Sequence, residues 1–277
     1  MADEQPTPQA GVTPRAAGAP RPTVPTAGAP QAAAPEAAPA DLDAHGQRVR
    51  GIFSNIATRY EAFNALSSMG IYRYWLRVMA RTAACKPTDL VLDVAGGAGD
   101  VSFELCRVCP PAAIELTDFC PEMLDVARQR ISAGENRGVP VTCDVADAMA
   151  LPFPDEGFDV LTVAYGLRNF SDRVASMCEA LRVLRPGGTY VALEFSTPAN
   201  PAWRALYGWY RDHMLPLIGG AVTRDRAGFD YLARSIREFP SQDVICEELR
   251  RVGFVDVGYH DCTGGIATVY RAARPRA

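Results

Sequence analysis

The sequence predicts a doubly wound, Rossmann-like α/β fold, in which a mostly parallel sheet carries helices on both faces. Three observations predict it. Short apolar runs alternate with helix-like periodicity from Leu90 onward, acidic residues follow several of these runs, and a glycine cluster follows the first. Parallel strands require crossover connections, which are usually helices. Ligands bind such sheets at the carboxyl ends of the strands, which is where the acidic residues and glycines fall.

The first elements follow from simple local signals. Leu90–Val94 is a short apolar run that ends at the glycine cluster 96–99, and residues 113–116 form a second run that ends at Asp118. Pro121 then opens a helix, because proline is favoured at the first helical position. These segments predict a strand, a glycine turn with its helix, a second strand and a second helix.

The later elements continue the alternation. Residues 140–143 predict a third strand, and residues 158–165 form a β-rich run that is typical of a strand buried on both faces. Residues 174–184 repeat at helical spacing until the Pro-Gly-Gly at 186–188, and residues 189–195 predict a fifth strand. The remaining predictions are an irregular helical stretch, one helix and two closing strands, at 202–232, 244–252, 255–259 and 266–270.

Composition divides the 277-residue chain into two parts. Residues 1–40 contain 13 Ala, 9 Pro and 3 Gly, and they contain no Leu, Ile, Phe, Tyr or Trp. Such a segment cannot bury enough apolar surface to offset the entropy lost on ordering, so we expect a disordered tail. Residues 41–277 are long enough to form one well-buried domain.

Composition also excludes several classes of protein. The net charge is −4 and the chain shows no cluster of basic residues suited to phosphate neutralisation, so we expect no nucleic-acid partner. We find no apolar run that approaches 18 residues and no secretory signal, so we expect a cytoplasmic protein. Of the eight cysteines, only Cys106 and Cys109 have ligand spacing; we expect reduced thiols and no metal site, with a metal or redox pair as the alternative.

The glycine turn is the first candidate binding element. Gly97, Ala98 and Gly99 lie between a predicted strand and a predicted helix, where glycines let a ligand approach the backbone closely. Asp118 follows Gly99 by 19 residues, the usual distance for a carboxylate that binds ribose hydroxyls. Ser102 stands where a dinucleotide fingerprint requires its third glycine. The motif therefore indicates a nucleoside, although a purely structural turn is the alternative.

The charges around this turn select the nucleoside. Asp93 and Asp100 flank the turn, and two carboxylates would repel a diphosphate. They suit the positive ammonium and sulfonium of S-adenosylmethionine instead. We expect the adenine to lie near Asp147. An NAD-dependent enzyme is less favoured by the same argument.

Several longer motifs are spread from about Gln47 to Arg271. They include, in chain order, FSNIATRY at 53–60, LDVAGGAGD at 92–100, YGLRN at 165–169, RVLRPGG at 182–188 and YLARSIREFPSQ at 231–242. In these motifs the chain resembles the ubiquinone/menaquinone biosynthesis C-methyltransferases, a branch of the class I S-adenosylmethionine-dependent methyltransferases. The last motif discriminates best, because generic methyltransferases do not share it.

The resemblance implies both a fold and a reaction. It implies a seven-stranded class I methyltransferase fold with N-terminal helices and a helical cap insertion. It implies that S-adenosylmethionine methylates a ring carbon of a prenylated hydroquinone, either demethylmenaquinol or the ubiquinol precursor 2-methoxy-6-polyprenyl-1,4-benzoquinol. The cofactor-binding residues that it implies are Asp93, Gly97, Ala98, Gly99, Asp118, Asp147, Ala148 and Ala164. Ala98 and Ala164 stand where the family often has a hydroxyl-bearing residue.

The resemblance also implies catalytic residues. A ring carbon becomes nucleophilic when a neighbouring hydroxyl loses its proton, so the site must manage a phenolate. Arg168 is expected to stabilise that phenolate or to orient a water that relays the proton, and Asn169 to orient the acceptor. Tyr60 is expected to bond to the substrate or to close the N-terminal helix over it. The alternatives are a salt bridge from Arg168 to Asp118 or Asp147, and simple packing for Tyr60.

Two partner questions stay open in the sequence. The aromatic segment 203–218 suits a groove for the isoprenoid tail or a peripheral contact with the inner face of a membrane. Packing as an ordinary helical cap, or at the interface of a homodimer, is the alternative. The rival functions are an S-adenosylmethionine-dependent O- or N-methyltransferase of another small molecule, and a non-catalytic module that keeps the fold.

Overall fold

Seven strands form one sheet in the computed structural model, which describes residues 44–56, 68, 70–214, 217 and 226–276. The strand order is β3-β2-β1-β4-β5-β7-β6; the first five strands are parallel, and β7 runs antiparallel to both of its neighbours. The predicted doubly wound α/β fold is confirmed. The strands are β1 Leu90–Val94, β2 Ala113–Asp118, β3 Val141–Val145, β4 Phe158–Ala164, β5 Leu184–Phe195, β6 Val255–Cys262 and β7 Ala267–Ala273.

Eight α-helices lie within the described residues. They are α1 Ala44–Ile56, α2 Tyr72–Ala83, α3 Asp100–Val108, α4 Pro121–Ser132, α5 Arg173–Val183, α6 Pro201–Trp209, α7 Arg226–Glu238 and α8 Gln242–Val252. A π-helical turn, Tyr210–Met214, follows α6, and a 3₁₀ turn, Leu167–Asn169, follows β4. Pro121 occupies the first turn of α4 as predicted, and Gly253 ends α8 in the left-handed conformation that glycine favours.

Two apolar layers cover the sheet, one on each face. Val191 and Leu193 of β5 belong to one layer, whereas Tyr190 and Ala192 belong to the other. This alternation follows from the two-residue period of a strand. Helices α2 and α3 pack in the first layer and helices α5 and α8 in the second. The central strands are therefore buried on both faces, and only their ends can meet a ligand.

The structure extends several predicted strands. β5 begins at Leu184 rather than Thr189, because the Pro-Gly-Gly segment continues as strand after the helix ends. The amide of Gly187 donates to the Arg274 carbonyl, and the amide of Arg274 donates to the Gly188 carbonyl, at 3.0 and 2.9 Å. β6 and β7 also end three residues later than predicted. Backbone pairing, which local sequence does not show, lengthens all three strands.

Some predictions fall where the structure is not described, and others meet only the described part. The predicted tail, residues 1–40, and Tyr60 lie outside the described residues. Within the described ranges, no helix is both long and apolar enough to cross a membrane, and no cluster of three or more side chains is arranged to hold a metal ion. All eight cysteines are described, and each is a free thiol.

Candidate active site

The backbone of the glycine turn after β1 packs against the end of β2. Gly97 has φ +55° and Gly99 has φ +88°, conformations that glycine adopts without strain. A Cβ added at Gly97 would lie 3.0 Å from the Met123 Cε atom, and one at Gly99 would lie 2.7 Å from the Phe103 ring. Both positions therefore need glycine for space as well as for conformation. Ala98, between them, is buried.

Asp118, at the end of β2, is bound directly to this turn. Its Oδ2 atom accepts from the Gly97 amide at 2.9 Å, and its Oδ1 atom accepts from the Cys120 amide at 2.8 Å. Burial raises the pKa of this carboxyl to about 6. Each carboxylate oxygen keeps a second lone pair, so a ribose hydroxyl could still donate to it.

The two carboxylates that flank the turn, Asp93 and Asp100, are both engaged with other side chains of the protein. Asp93 is fully buried and accepts from the Ser102 hydroxyl at 2.6 Å and from the Thr162 hydroxyl at 2.8 Å. Asp100 forms an ion pair with Arg130 at 2.7 Å. Asp93 fixes the start of α3 to β4 from beneath the turn, and burial raises its pKa to about 6.

A cavity of about 130 Å³ lies beside the turn, in the loops that follow β1, β2, β3 and β4. Its walls are largely apolar and include two rings: Gly46, Ala95, Phe119, Ala146, Asp147, Ala148, Met149, Asn169, Phe170 and Ser171. Asp147 is held at this wall by the Met149 amide, which donates to its Oδ1 atom at 2.9 Å. Ala164, the last residue of β4, is half-buried. The cavity is therefore a largely apolar one with a single carboxylate in its wall, adjacent to Asp118 through Phe119.

Arg168 follows β4 and is buried rather than exposed. Its Nη1 atom donates to the Glu194 Oε1 atom at 2.6 Å and to the Tyr165 carbonyl at 2.7 Å. The guanidinium also lies over the Tyr165 and Phe195 rings. Its Nε atom is buried and has no hydrogen-bond partner among the described residues. The alternative considered for Arg168, a salt bridge to Asp118 or Asp147, is not formed, because its acidic partner is Glu194.

Glu194 is the acidic partner of Arg168, a contact that the sequence did not reveal. It lies near the end of β5, fully buried, and accepts from the Phe195 amide as well as from Arg168. Burial raises its pKa, although the neighbouring Arg168 cation opposes the shift. The available signal was an acidic residue at the end of an apolar strand, the same signal that identified Asp118 at the end of β2.

Asn169 joins three parts of the chain. Its side-chain amide donates to the Tyr165 carbonyl at 2.9 Å, and its Oδ1 atom accepts from the Tyr231 hydroxyl of α7 at 3.0 Å. Its backbone carbonyl lies 3.1 Å from the Nε2 atom of His45, on α1. Asn169 also lines the cavity beside the glycine turn. Helices α1 and α7 are thus held at the edge of the site by one residue.

Sequence comparison places the chain among quinone-biosynthesis methyltransferases. The sequence model described as "ubiE/COQ5 methyltransferase family" matches residues 41–274. A protein of Geobacter sp. (strain M21) named ubiquinone/menaquinone biosynthesis C-methyltransferase UbiE is 43% identical over 230 residues, which cover 83% of this chain and 97% of that protein. A protein of the same name from Dinoroseobacter shibae is 40% identical over 222 residues, covering 80% and 88%.

Comparison with solved structures confirms the fold. A SAM-dependent methyltransferase from Aquifex aeolicus superposes with a TM-score of 0.51 at 16% identity, covering 71% of this chain and 87% of that one. The [4+2]-cyclase SpnF superposes with a TM-score of 0.61 at 15% identity, covering 84% and 97%. At such low identity the likeness concerns the fold alone, since one fold can carry different chemistry.

Proposed function

The chain belongs to the ubiE/COQ5 methyltransferase family, and we propose that it methylates a ring carbon of a prenylated hydroquinone with S-adenosylmethionine. The acceptor is demethylmenaquinol, the ubiquinol precursor 2-methoxy-6-polyprenyl-1,4-benzoquinol, or both. The observation that carries the proposal is the match to relatives named C-methyltransferases over 83% of this chain. The geometry supports it, because Asn169 lines the cavity beside the glycine turn, which we call the cofactor cavity, and also donates to the Tyr165 carbonyl that accepts from Arg168.

S-adenosylmethionine, when bound, supplies an electrophilic methyl carbon carried on a sulfonium. Gly97 and Gly99 would let it approach the backbone, and Asp118 would accept from its ribose hydroxyls. The cavity wall formed by Asp147 and Ala148 would hold the adenine. Asp93 would act from beneath the turn by fixing its shape, and buried Ala98 would form part of the turn itself. Half-buried Ala164 would contribute the edge of the site at the end of β4.

Arg168 would bind the acceptor hydroxyl and stabilise the phenolate. An arginine guanidinium offers N–H donors and no acceptor, so it is a poor general base. Its buried Nε–H lacks a partner among the described residues, and a phenolate oxygen would satisfy it. Glu194 and the Tyr165 carbonyl hold the guanidinium from the other side, so the donor is oriented before the acceptor arrives.

Asn169 would orient the acceptor ring, and the aromatic surroundings would keep water away. The side chain is fixed by its bonds to Tyr165 and Tyr231. The Tyr165 and Phe195 rings pack 4.9 Å apart beside the guanidinium. A site with little water favours a reaction in which a phenolate and a sulfonium lose their charges together. We retain Tyr60 as a further proposed acceptor contact on the grounds of the family motif.

An exposed apolar stripe supports peripheral contact with a membrane, where a prenylated acceptor resides. Leu206 and Trp209 of α6 are 56% and 55% exposed, and Leu217, further along at helical spacing, is 68% exposed. His213 stacks on the Trp209 ring at 5.9 Å. A tryptophan with an apolar neighbour on an exposed helix face suits the headgroup level of a bilayer. We therefore propose that the protein works in the cytoplasm at the inner face of a membrane.

An open apolar groove runs next to this stripe and supports a path for the isoprenoid tail. It is lined by Asn200, Ala202, Trp203, Leu206, Thr263 and Gly264. Trp203 is anchored there because its indole N–H donates to the Thr263 carbonyl at 3.1 Å. The same stripe could instead be covered by a second copy of the chain, so a homodimer is the alternative to the membrane contact.

The proposed reaction is tested by incubating the protein with methyl-labelled S-adenosylmethionine and demethylmenaquinol in detergent, and locating the label by NMR. We expect label on the ring carbon. Menaquinol is the matched control, because its ring carbon already carries the methyl group while its hydroxyls are free. Label on an oxygen, or equal labelling of menaquinol, would favour the rival O-methyltransferase and contradict the proposal.

A further inference from the structure

A second and larger cavity lies at the seam between α1 and α7. Its volume is about 360 Å³, and it shares the wall residue Phe170 with the cofactor cavity. Five basic side chains contribute to its lining: His45, Arg48, Arg168, Arg173 and Arg234. Among the described residues that line it, Glu238 is the single acidic one. Such a local excess of positive charge stands out in a chain whose net charge is −4.

Part of this positive charge is neutralised from behind the cavity wall. Arg168 pairs with Glu194, and Arg173 forms a two-bond ion pair with Glu248 at 2.6 and 2.7 Å. Arg48 of α1 and Arg234 of α7 form no ion pair with a described residue. Arg234 instead lies over the Tyr231 ring at 5.8 Å. Two guanidinium groups, from two helices that both line the cavity, therefore remain available to a ligand, opposed by the Glu238 carboxylate.

We propose that this cavity binds an anionic group of the phosphate class between Arg48 and Arg234. Guanidinium groups match phosphate oxygens with paired N–H donors. Two unpaired cations suit a phosphate group, which carries more negative charge at neutral pH than a single carboxylate. Tyr231, Ser235 and His45 also line the cavity. The Tyr231 hydroxyl donates to the Asn169 Oδ1 atom and the Ser235 hydroxyl to the Leu232 carbonyl, both at 3.0 Å. The site is separate from the cofactor cavity, where the nucleoside of the methyl donor is placed.

The position of this cavity ties anion binding to the active site. His45 and Tyr231 line the cavity, and both are bonded to Asn169, at 3.1 and 3.0 Å. An anion bound by both Arg48 and Arg234 would link α1 to α7. It would thereby stabilise the contacts that Asn169 makes with His45 and with Tyr231. The phosphate could come from a free phosphate ester or from the headgroup of an anionic lipid at the membrane surface, since the recognition chemistry is the same.

The site is tested by titrating the full chain with inorganic phosphate in a calorimeter, at low ionic strength and with chloride as the matched anion. We expect one phosphate site that chloride does not occupy. Replacing both arginines (R48Q/R234Q) should weaken phosphate binding by about tenfold or more, because two charge-assisted contacts are lost. E238Q should have the opposite effect and tighten it, because a repelling carboxylate lining the cavity is removed.

Two arginines of the same helices provide controls. Arg50 of α1 lies 4.0 Å from Glu122, and Arg237 of α7 pairs with Asp212 at 2.8 Å; neither lines the cavity. R50Q and R237Q should therefore leave phosphate binding unchanged. The proposal is overturned if the wild-type chain does not bind phosphate, or if R48Q/R234Q binds it as tightly as R50Q does. Circular dichroism of each variant checks that it is folded.

A second measurement distinguishes the two sources of phosphate. The chain is sedimented with phosphatidylcholine vesicles that contain or lack phosphatidic acid. Binding that needs phosphatidic acid and is lost in R48Q/R234Q assigns the site to a lipid headgroup. Vesicle binding that is equal in the variant, alongside an impaired phosphate titration, assigns it to a free phosphate ester. Both readouts are independent of methyl transfer, so failure of the proposed reaction would leave this test intact.

Discussion

The Arg168 Nη1 atom lies 2.6 Å from the Glu194 Oε1 atom, and both side chains are almost completely buried. The arginine follows β4 and the glutamate belongs to β5, so the two neighbouring strands together determine where the guanidinium charge lies. A buried ion pair is weak evidence for stability, because desolvation of both charges offsets their attraction. Its value lies in placement: the guanidinium is held in one orientation at the edge of the candidate site.

Arg168→Ala should lower turnover at least tenfold while S-adenosylmethionine affinity stays nearly intact, because a phenolate loses its positive partner but the cofactor cavity keeps its walls. Steady-state kinetics with saturating cofactor measure the first quantity, and calorimetry measures the second. Equal turnover in the variant would reject the role of Arg168. Turnover and affinity that fall together would instead indicate a general structural defect.

Glu194→Gln should lower the free energy of unfolding by about 3 kcal/mol, because the buried Arg168 cation would lose its countercharge. Urea denaturation at pH 7 measures the change. The matched control is Glu247→Gln: Glu247 pairs with Arg251 at 3.2 Å on the exposed face of α8, where an ion pair contributes about 0.5 kcal/mol. Similar losses in the two variants would show that the Arg168–Glu194 pair contributes no more to the free energy of unfolding than an exposed ion pair does.

Asp93→Asn should become more stable relative to the wild type as the pH rises from about 4 to 7. Burial gives Asp93 a folded-state pKa of about 6, whereas an unfolded aspartate has a pKa of about 3.9. The folded protein thus keeps a proton that the unfolded chain has released, and this stabilisation is present below about pH 4 and lost as the pH passes 6. The relative gain of the variant should approach about 3 kcal/mol.

Urea denaturation of both proteins across this pH range measures that gain. Asp125→Asn serves as the control, because Asp125 forms an exposed pair with Arg128 at 2.9 Å and its charge is screened by solvent. The stability difference between this control and the wild type should vary little with pH. A flat difference for Asp93→Asn as well would show that Asp93 is not the group responsible.

Gly97→Ala should abolish detectable cofactor binding, whereas Gly134→Ala should not. Both glycines have positive φ, so each substitution should cost about 1 kcal/mol of stability through backbone strain. The added methyl at Gly97 would also meet Met123 at 3.0 Å and stand beside Asp118, but the one at Gly134 would meet nothing within 4 Å. Calorimetric titration with S-adenosylmethionine compares them. Equal affinities would remove the glycine turn from the cofactor site.

Replacing Leu206 and Trp209 together by serine should reduce binding to anionic vesicles by about tenfold, because both side chains would lose apolar burial in the bilayer. Co-sedimentation measures it. Tyr74→Ser is the control, since Tyr74 on α2 is exposed to a similar extent, 53%. The alternative outcome is a wild type that binds no vesicles and sediments as a dimer, with a serine variant that sediments as a monomer. That result would assign the stripe to a homodimer interface.

Most of the strand and helix order could be predicted because alternating apolar patterns and turn residues are local signals. The partner of Arg168 could not, because several acidic strand ends were available and the choice depends on strand order. In the sheet β4 lies between β1 and β5, and Ala164 pairs with Leu193, so Glu194 comes next to Arg168. Asp118 is on β2, beyond β1, which places it with the glycine turn instead.

The burial of the Asp93 side chain could not be predicted from the sequence either. A carboxylate next to a glycine turn suggests a ligand, but β1 is buried on both faces. Asp93 accepts there from the Ser102 hydroxyl and from the Thr162 hydroxyl, and Thr162 lies on β4, 69 residues along the chain. The contacts of Asn169 with His45 and Tyr231 also join elements that only the tertiary fold brings together. The residues beside the turn could therefore be identified, whereas their hydrogen-bond partners could not.

The position of β7 has a consequence for biosynthesis. It is the latest of the seven strands in chain order, yet it lies inside the sheet, between β5 and β6. Chains emerge from the ribosome N-terminus first, so β5 is complete while its neighbour has still to be translated. An unpaired strand edge is a template for aggregation. Until residues 267–273 emerge, the nascent polypeptide must shield that open edge, which makes translation pace and chaperone supply determinants of yield.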